Sequence, residues 1–120
     1  VFFLGKMNQS ELRELYSLCS LFVFTSPFEN FAYTLVEAMS CGAPILTTNT
    51  TAMPETCESA AVYFDPYSAS NLMDKITKLM SDESLRLKYK KSALAQSLKI
   101  NKYREVNIKT NAVLLSIISN

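Results

Sequence analysis

Residues 21–47 read L-F-V-F-T-S-P-F-E-N-F-A-Y-T-L-V-E-A-M-S-C-G-A-P-I-L-T. The apolar run 21–24 is typical of a buried strand, and residues 32–41 then carry apolar side chains at helical spacing until Gly42 stops the helix. Another apolar run, residues 44–47, follows within two residues. Because the connections are short and pass through a helix, this stretch predicts two parallel strands joined by a right-handed crossover.

The same alternation continues on both sides of this unit. Upstream, Val1–Leu4 predicts one more buried strand, and Ser10 predicts the start of an amphipathic helix. Downstream, a short helix opening near Pro54 leads to a strand at residues 61–64. The sequence therefore predicts an α/β fold, a partial Rossmann-like parallel sheet of about four strands with flanking helices.

The remainder of the chain is helical in pattern. Apolar side chains recur at helical spacing in three segments, which predict helices around residues 72–80, 85–98 and 106–118. We expect residues 1–120 to form a single domain, with an α/β part at 1–66 and a helical part at 67–120. A chain of 120 residues that is 48% apolar can build one such core.

The cysteine and histidine counts exclude several kinds of site. Cys19, Cys41 and Cys57 are odd in number and widely spaced, with no C-x-x-C pattern, and the chain contains no histidine. This composition argues against zinc binding and thiol–histidine catalysis, so we expect reduced core cysteines and no metal. A step that depends on histidine would need residues outside this chain.

Charge and hydropathy bear on the cellular location. The longest apolar stretches, such as residues 112–118, fall far short of the roughly 20 residues of a spanning helix. No signal peptide opens the chain, so we expect a cytoplasmic protein. Residues 1–74 carry two basic and eight acidic side chains, a net −6, whereas residues 75–120 carry ten basic and three acidic, a net +7.

The basic C-terminal half admits two interpretations. Its Lys-rich helices, Lys75 to Lys109, are either a solvated face, which we take as the default, or a peripheral contact with anionic lipid at the inner membrane face. We expect no nucleic-acid partner.

A candidate binding site lies in the loop 26–32. In doubly wound sheets ligands bind outside the carboxyl ends of strands, and a helix beginning near Ala32 would point the N–H groups of Ala32, Tyr33 and Thr34 at a phosphate. Glu37 lies about one and a half turns into this helix and leans back toward its start, where it could accept hydrogen bonds from a ribose diol. Glu29 could serve the hydroxyls of a sugar beyond the phosphates. The alternative is that both are ordinary surface acids.

Four segments together resemble one family. They are F-F-L-G at residues 2–5, S-P-F-E-N-F-A-Y-T-L-V-E-A-M-S-C-G-A-P-I at 26–45, A-M-P-E at 52–55 and A-V-Y-F-D-P at 61–66. This pattern resembles the C-terminal domain of GT-B glycosyltransferases of family 4, the group 1 glycosyltransferases, with their E-x7-E motif. The resemblance covers residues 1 to about 80, and a motif of this length is far more specific than a lone glycine pattern.

The resemblance implies roles for particular residues. Glu37 matches the family's glutamate that contacts the ribose, and Glu29 matches the one that contacts the donor sugar. The segment Phe31, Ala32, Tyr33 and Thr34 matches backbone that meets the diphosphate, and Gly5 and Lys6 match the region that holds the base.

The resemblance also implies an activity. The family transfers sugar from a nucleotide-sugar donor, with retention of configuration and without an essential metal or other cofactor. For this chain it implies a UDP-, GDP- or ADP-sugar donor and a saccharide or lipid-linked acceptor, in polysaccharide, lipopolysaccharide or glycolipid biosynthesis. The acceptor would be bound by an N-terminal domain with no counterpart in these 120 residues, so we expect the isolated chain to be inactive.

Two departures from the family keep a rival hypothesis open. Asn30 and Ala32 stand where the family usually has glycines, and a Cβ there could hinder backbone from approaching phosphate. Ala32 would be strained if its φ had to be positive. The rival is a non-catalytic α/β interaction module with a degenerate donor site.

Overall fold

The computed structural model describes residues 1–118, and side chains for residues 1–106. Strands alternate with helices over the first half of the chain, and two helices complete it. The elements are α1 (Gln9–Leu18), β1 (Phe22–Phe24), α2 (Tyr33–Ser40), β2 (Ile45–Thr48), α3 (Ala52–Cys57), a 3₁₀ turn (Glu58–Ala60), β3 (Ala61–Phe64), α4 (Ala69–Ser81) and α5 (Glu83–Ile118).

The sheet is parallel and places the strands in the order β1-β2-β3. Phe22 pairs with Ile45, which in turn pairs with Ala61, so all three strands run in register through the middle of the domain. This confirms the predicted α/β fold with a parallel sheet and flanking helices. Since the strands point the same way, the loops after β1, β2 and β3 meet at one edge.

Both faces of the sheet are covered, as a parallel sheet requires. Ile45 faces a core shared with α1, α2, α3 and the middle of α5, whereas Leu46 faces a second core shared with α4 and the start of α5. All four residues of β2 are fully buried, so neither face of this strand meets solvent. Helix α5 contributes to both cores.

One predicted strand is wrong. Val1–Leu4 pairs with no strand of the described chain, and the side chains of Phe2 and Phe3 are 92% and 96% exposed. A strand is stable only when its N–H and C=O groups bond to a neighbour, and β1 pairs with β2 alone. The sheet therefore has three strands rather than about four.

The helix boundaries also differ from expectation in two places. Helix α1 is capped by Asn8, not Ser10: the Asn8 side chain accepts from the Glu11 N–H, and the Glu11 carboxylate accepts from the Asn8 N–H. The helices expected at 85–98 and 106–118 are one continuous helix, α5. No glycine or proline occurs between residues 83 and 118 to break it.

Within the described residues, no helix has both the length and the apolar character needed to span a bilayer.

Gly42 ends α2 in the way its sequence position predicts. Its φ is +74°, its N–H donates to the Met39 carbonyl at 3.0 Å, and the Ala43 N–H donates to the Ala38 carbonyl at 3.0 Å. This pair of bonds is a Schellman cap, in which the C′ residue adopts a left-handed conformation. It turns the chain directly into β2.

We expect Gly42→Ala to lower the free energy of unfolding by about 1–2 kcal/mol, the cost of a left-handed non-glycine residue. A Cβ at this position would also lie 3.3 Å from Leu94 Cγ on α5. Urea denaturation of the variant checks this. Gly5→Ala is the control that separates backbone strain from the contact with Leu94. Gly5 has a similar φ of +65°, but an added Cβ there has nothing within 4 Å. Unchanged stability of Gly42→Ala would contradict the prediction.

Candidate functional site

The loop between β1 and α2 is tied to the end of β2 by threonine side chains. Thr48 Oγ1 donates to the Ser26 carbonyl and Thr50 Oγ1 to the Pro27 carbonyl, each at 2.8 Å. The Glu29 N–H donates to Thr51 Oγ1 at 3.0 Å. These hydrogen bonds extend the contact between β1 and β2 beyond the paired strands, and they place Glu29 at the carboxyl edge of the sheet.

Thr51 has an unusual backbone conformation, with φ +47° and ψ −124°. A β-branched residue rarely adopts positive φ, and such conformations persist where surrounding contacts impose them. Here Thr51 is the N-cap residue of α3, and its Oγ1 also accepts the Glu29 N–H. Sequence reasoning missed these threonines, although the run T-N-T-T directly after a buried strand, next to the candidate loop, was a usable signal.

The start of α2 offers part of the expected phosphate-binding backbone. Ala32 is the N-cap and gives no side-chain cap. The Tyr33 N–H donates to the Phe31 carbonyl at 3.0 Å and is therefore occupied, whereas the described residues provide no partner for the Thr34 N–H. The first turn also lacks acidic residues, so the positive end of the helix dipole is not neutralised locally.

The two departures from glycine cause no backbone strain. Ala32 has φ −86° and is 2% exposed, and Asn30 is not among the described residues with positive φ. The chain therefore follows this turn with ordinary side-chain-bearing residues, and the strain considered for Ala32 does not arise.

Glu37 is exposed and lines a cavity of about 210 Å³ between α1, α2 and α5, which we call the Glu37 cavity. Its other walls include Arg13, Tyr16, Asn101 and Arg104. Burial of the Tyr16 ring, and next the negative charge of Glu37, raise the pKa of the Tyr16 hydroxyl. The exposed Glu37 side chain thus lines a recess that α1, α2 and α5 form.

A second cavity of about 500 Å³ lies between the loop, α3 and α5, and we call it the Phe31 cavity. Phe31 and Asn30 line it from the loop, Glu55 from α3, and Tyr103 and Arg104 from α5. The Phe31 ring is 41% exposed and packs edge-on against Tyr33 with centroids 4.5 Å apart. The cavity combines exposed aromatic rings with carboxylates and amides, groups suited to a polyhydroxylated ligand.

The structure brings some of the expected site residues together and leaves others apart. Glu37 lines one cavity and Phe31 the other; Glu29 lines neither, although its neighbours Asn30 and Phe31 line the Phe31 cavity. Gly5 and Lys6 are exposed, precede α1 and line neither cavity. Thr34 is half-buried on the first turn of α2.

An ion pair closes one side of the Phe31 cavity. Lys99 Nζ lies 2.7 Å from Glu58 Oε1, and both residues line the cavity. The hydrogen bond from Lys99 lowers the pKa of the Glu58 carboxyl, and the same bond raises the pKa of Lys99. Because both groups are exposed, this pair orients α5 on the 3₁₀ turn after α3 more than it stabilises the fold.

Within the described residues, no cluster of acidic or cysteine side chains is arranged to hold a metal ion. The three cysteines are free thiols; burial raises the pKa of Cys57 to about 12, so its thiol stays protonated. None of these side chains makes a candidate nucleophile.

Comparison with known proteins adds the family. A model of the family described as "Glycosyl transferases group 1" matches residues 1–96. The serotype-specific mannosyltransferase WbdA of Escherichia coli is 37% identical over 99 residues, which are 82% of this chain and 12% of WbdA. The O-antigen chain mannosyltransferase B of Escherichia coli is 33% identical over 84 residues, or 70% of this chain and 22% of that protein.

Two further proteins are similar. The N,N'-diacetylbacillosaminyl-diphospho-undecaprenol alpha-1,3-N-acetylgalactosaminyltransferase of Campylobacter jejuni is 32% identical over 92 residues, or 75% of this chain and 24% of that enzyme. The solved sucrose-phosphate synthase of Thermosynechococcus elongatus superposes with a TM-score of 0.87 at 20% identity, over 99% of this chain and 30% of that one. The latter likeness concerns the fold alone.

We expect Thr51→Gly to loosen the Glu29 loop without unfolding the domain. Glycine removes the backbone strain of about 1–3 kcal/mol at this φ, but it also removes the hydroxyl that accepts the Glu29 N–H. Hydrogen exchange at residue 29 should therefore accelerate while global stability holds or rises. Thr51→Ser keeps the hydroxyl and should retain wild-type protection; equal protection in Thr51→Gly would show that this bond does not hold the loop.

Proposed function

The chain belongs to the glycosyl transferases group 1 family, and we propose that it is part of an enzyme that transfers a sugar from a nucleotide-sugar donor to a saccharide or lipid-linked acceptor, with retention of configuration. It spans 12% of the length of the first relatives it matches. Its relatives are named as mannosyltransferases and an N-acetylgalactosaminyltransferase acting on a diphospho-undecaprenol-linked sugar. These names favour a role in surface-polysaccharide or lipid-linked glycan assembly.

The observation that carries the proposal is the position of Glu37. Its side chain lines a cavity whose other walls are α1 and α5, and it lies in the second turn of a helix whose first turn carries no acidic residue. A carboxylate accepts hydrogen bonds only, so a neutral diol is a better partner for it than a phosphate. We assign Glu37 to the ribose hydroxyls of the donor.

The remaining candidate residues have proposed contacts with the diphosphate, the sugar and the base of the donor. The Thr34 N–H and the dipole of α2 would meet the diphosphate, with Phe31, Ala32 and Tyr33 shaping the turn that lets it approach. Glu29, held by Thr51, would orient the transferred sugar and is our candidate catalytic residue. The donor would be a UDP-, GDP- or ADP-sugar, and its base would lie toward Gly5 and Lys6. No metal or other cofactor is part of the proposal.

In this mechanism the chain contributes positioning and charge stabilisation. A donor held at the ribose and at the sugar presents its anomeric carbon in one orientation, and helix N–H groups stabilise the charge that develops on the departing diphosphate. We propose that residues 1–120 act as one donor-binding unit, with 1–66 supplying the loops and 67–120 the helices. The acceptor would be bound by another domain, and the isolated chain would not transfer sugar.

The rival proposal is an interaction module whose donor site no longer works. It drew support from Asn30 and Ala32 in place of glycines. The negative φ of Ala32 and the absence of strain at Asn30 favour the enzymatic proposal instead.

We also propose a peripheral contact of α5 with an anionic membrane on the cytoplasmic side. Leu87, Leu94 and Leu98 are exposed by 52%, 40% and 69%, and Lys91 and Lys102 are exposed at the same helical spacing. An exposed stripe of leucine and lysine suits an interface of acyl chains and anionic headgroups. A lipid-linked acceptor would be reached from the same surface.

Glu37→Ala should weaken nucleoside diphosphate binding about 10- to 100-fold, the worth of hydrogen bonds to a charged group. Titration calorimetry of the full-length protein with UDP, GDP and ADP measures this. The decisive comparison uses the 2′,3′-dideoxy form of whichever nucleotide binds. Wild type should bind the dideoxy form more weakly than the ribose form, whereas Glu37→Ala should bind both forms with equal affinity. Equal loss for both ligands would place Glu37 away from the ribose, and no binding of any nucleotide would favour the interaction module.

The membrane contact has its own test. We expect the protein to cosediment with vesicles containing phosphatidylglycerol, less so in high salt because screening weakens charge attraction. Lys91→Glu with Lys102→Glu should abolish cosedimentation. Lys75→Glu with Lys78→Glu on α4 is the control of equal charge change, and an equal loss in both double variants would show general attraction rather than an α5 surface.

A further inference from the structure

We propose that Arg104, on α5, binds the diphosphate of the donor and joins the two cavities into one site. The inference rests on the proposed function, because it assigns a residue to the nucleotide that the family membership implies. Neither the sequence pattern nor the family motif pointed to this residue, which lies beyond residue 96, where the family match ends.

The position of Arg104 is the first support. It lines both the Glu37 cavity and the Phe31 cavity and therefore lies where the two adjoin. A ligand with its ribose at Glu37 and its sugar beside Phe31 would have its diphosphate at this junction. The other lining residues of α5 are Asn101 on the Glu37 side and Gln96, Lys99, Ile100 and Tyr103 on the Phe31 side.

The packing of α5 holds Arg104 in this place. Gln96 is buried and its Nε2 donates to the Thr56 carbonyl at 3.0 Å, which anchors α5 on α3. One turn later, Ile100 packs against the core that contains α2. Arg104 follows after another four residues and therefore continues the same helix face, beyond the edge of the core.

Charge is the next support. Residues 1–74, which supply both glutamates and the loops, carry a net charge of −6 and are poorly suited to hold a diphosphate alone. The guanidinium of an arginine presents a planar fork of donors that matches phosphate oxygens. Arg104 brings such a group from the basic half of the chain to the acidic half.

The cations nearby are less available. Lys99 lines the Phe31 cavity but is paired with Glu58 at 2.7 Å. Arg13 lines the Glu37 cavity alone. Among the described residues, no carboxylate lies within ion-pair distance of Arg104.

The structural alternative is that Arg104 is a solvated side chain that only softens the repulsion around Glu37. The two interpretations differ in which part of the ligand depends on Arg104. A diphosphate contact affects nucleoside diphosphates and spares the nucleoside, whereas a general effect on the Glu37 cavity changes both.

The test measures binding of UDP, GDP and ADP, and of the nucleosides uridine, guanosine and adenosine, to the full-length protein and its variants by titration calorimetry and ligand-observed NMR. We expect Arg104→Ala to weaken the nucleoside diphosphate about 10- to 100-fold, as for a hydrogen bond to a charged group, and to leave the matching nucleoside unchanged. Arg104→Lys should recover part of the loss because it keeps the charge. Lys102→Ala, a cation two residues away that lines neither cavity, is the control.

Each outcome has one meaning. Loss of diphosphate affinity with partial recovery in Arg104→Lys supports the inference. Wild-type binding that Arg104→Ala leaves unchanged, or weakens no more than Lys102→Ala does, overturns the inference alone. Equal loss for nucleoside and diphosphate overturns it too, in favour of a structural role, and circular dichroism of each variant confirms that the comparison is between folded proteins. No binding of any nucleotide to the wild type overturns the proposed function and the inference with it.

Discussion

The parallel pairing of β1 with β2 is the constraint on which the rest of this structure depends. Phe22, Val23 and Phe24 pair with Ile45, Leu46 and Thr47, and this short ladder sets where the next loop begins. The hydroxyls of Thr48 and Thr50 then bond to the loop carbonyls just beyond the paired residues. A shift of one residue in this register would reverse the faces of β2 and separate these threonines from the loop. The register of β1 on β2 therefore also determines the position of the loop that contains Glu29.

The eight residues of helix α2 contribute both to the hydrophobic core and to the candidate site. Leu35, Val36, Ala38 and Met39 are buried in the core, and their packing determines the rotation of the helix about its axis. Glu37 lies between them in sequence, so this rotation turns it away from the core and toward the recess beside α1. The Schellman cap at Gly42 ends the helix and returns the chain to the sheet. A polar residue can stand inside such an apolar helix because only one face is covered.

Helix α5 links parts of the molecule that are far apart in sequence. Its first turns pack with α4 on one face of the sheet, and Ala93 and Ile100 pack on the other. Leu94 lies against Gly42, and Lys99 pairs with Glu58. The basic half of the chain is thereby laid along the acidic half that contains both glutamates. Among the described residues, the Lys99–Glu58 ion pair is the one that joins the basic half of the chain to the acidic half.

The sequence by itself determined the α/β class, three of the strands, a helix at about residues 32–41 and the family to which the E-x7-E pattern belongs, because periodicity, capping and motif spacing are local properties. It overpredicted a strand at Val1–Leu4, since pairing depends on a neighbour that no local pattern reveals. It placed Ser10 rather than Asn8 at the first cap and divided α5 in two. Only the tertiary structure decided that Thr51 holds Glu29, that Glu37 and Phe31 line separate cavities, and that Arg104 borders both. The residues in these relations are from 6 to 73 positions apart in the sequence. Their relative positions depend on the packing of the folded chain and not on the sequence near each residue.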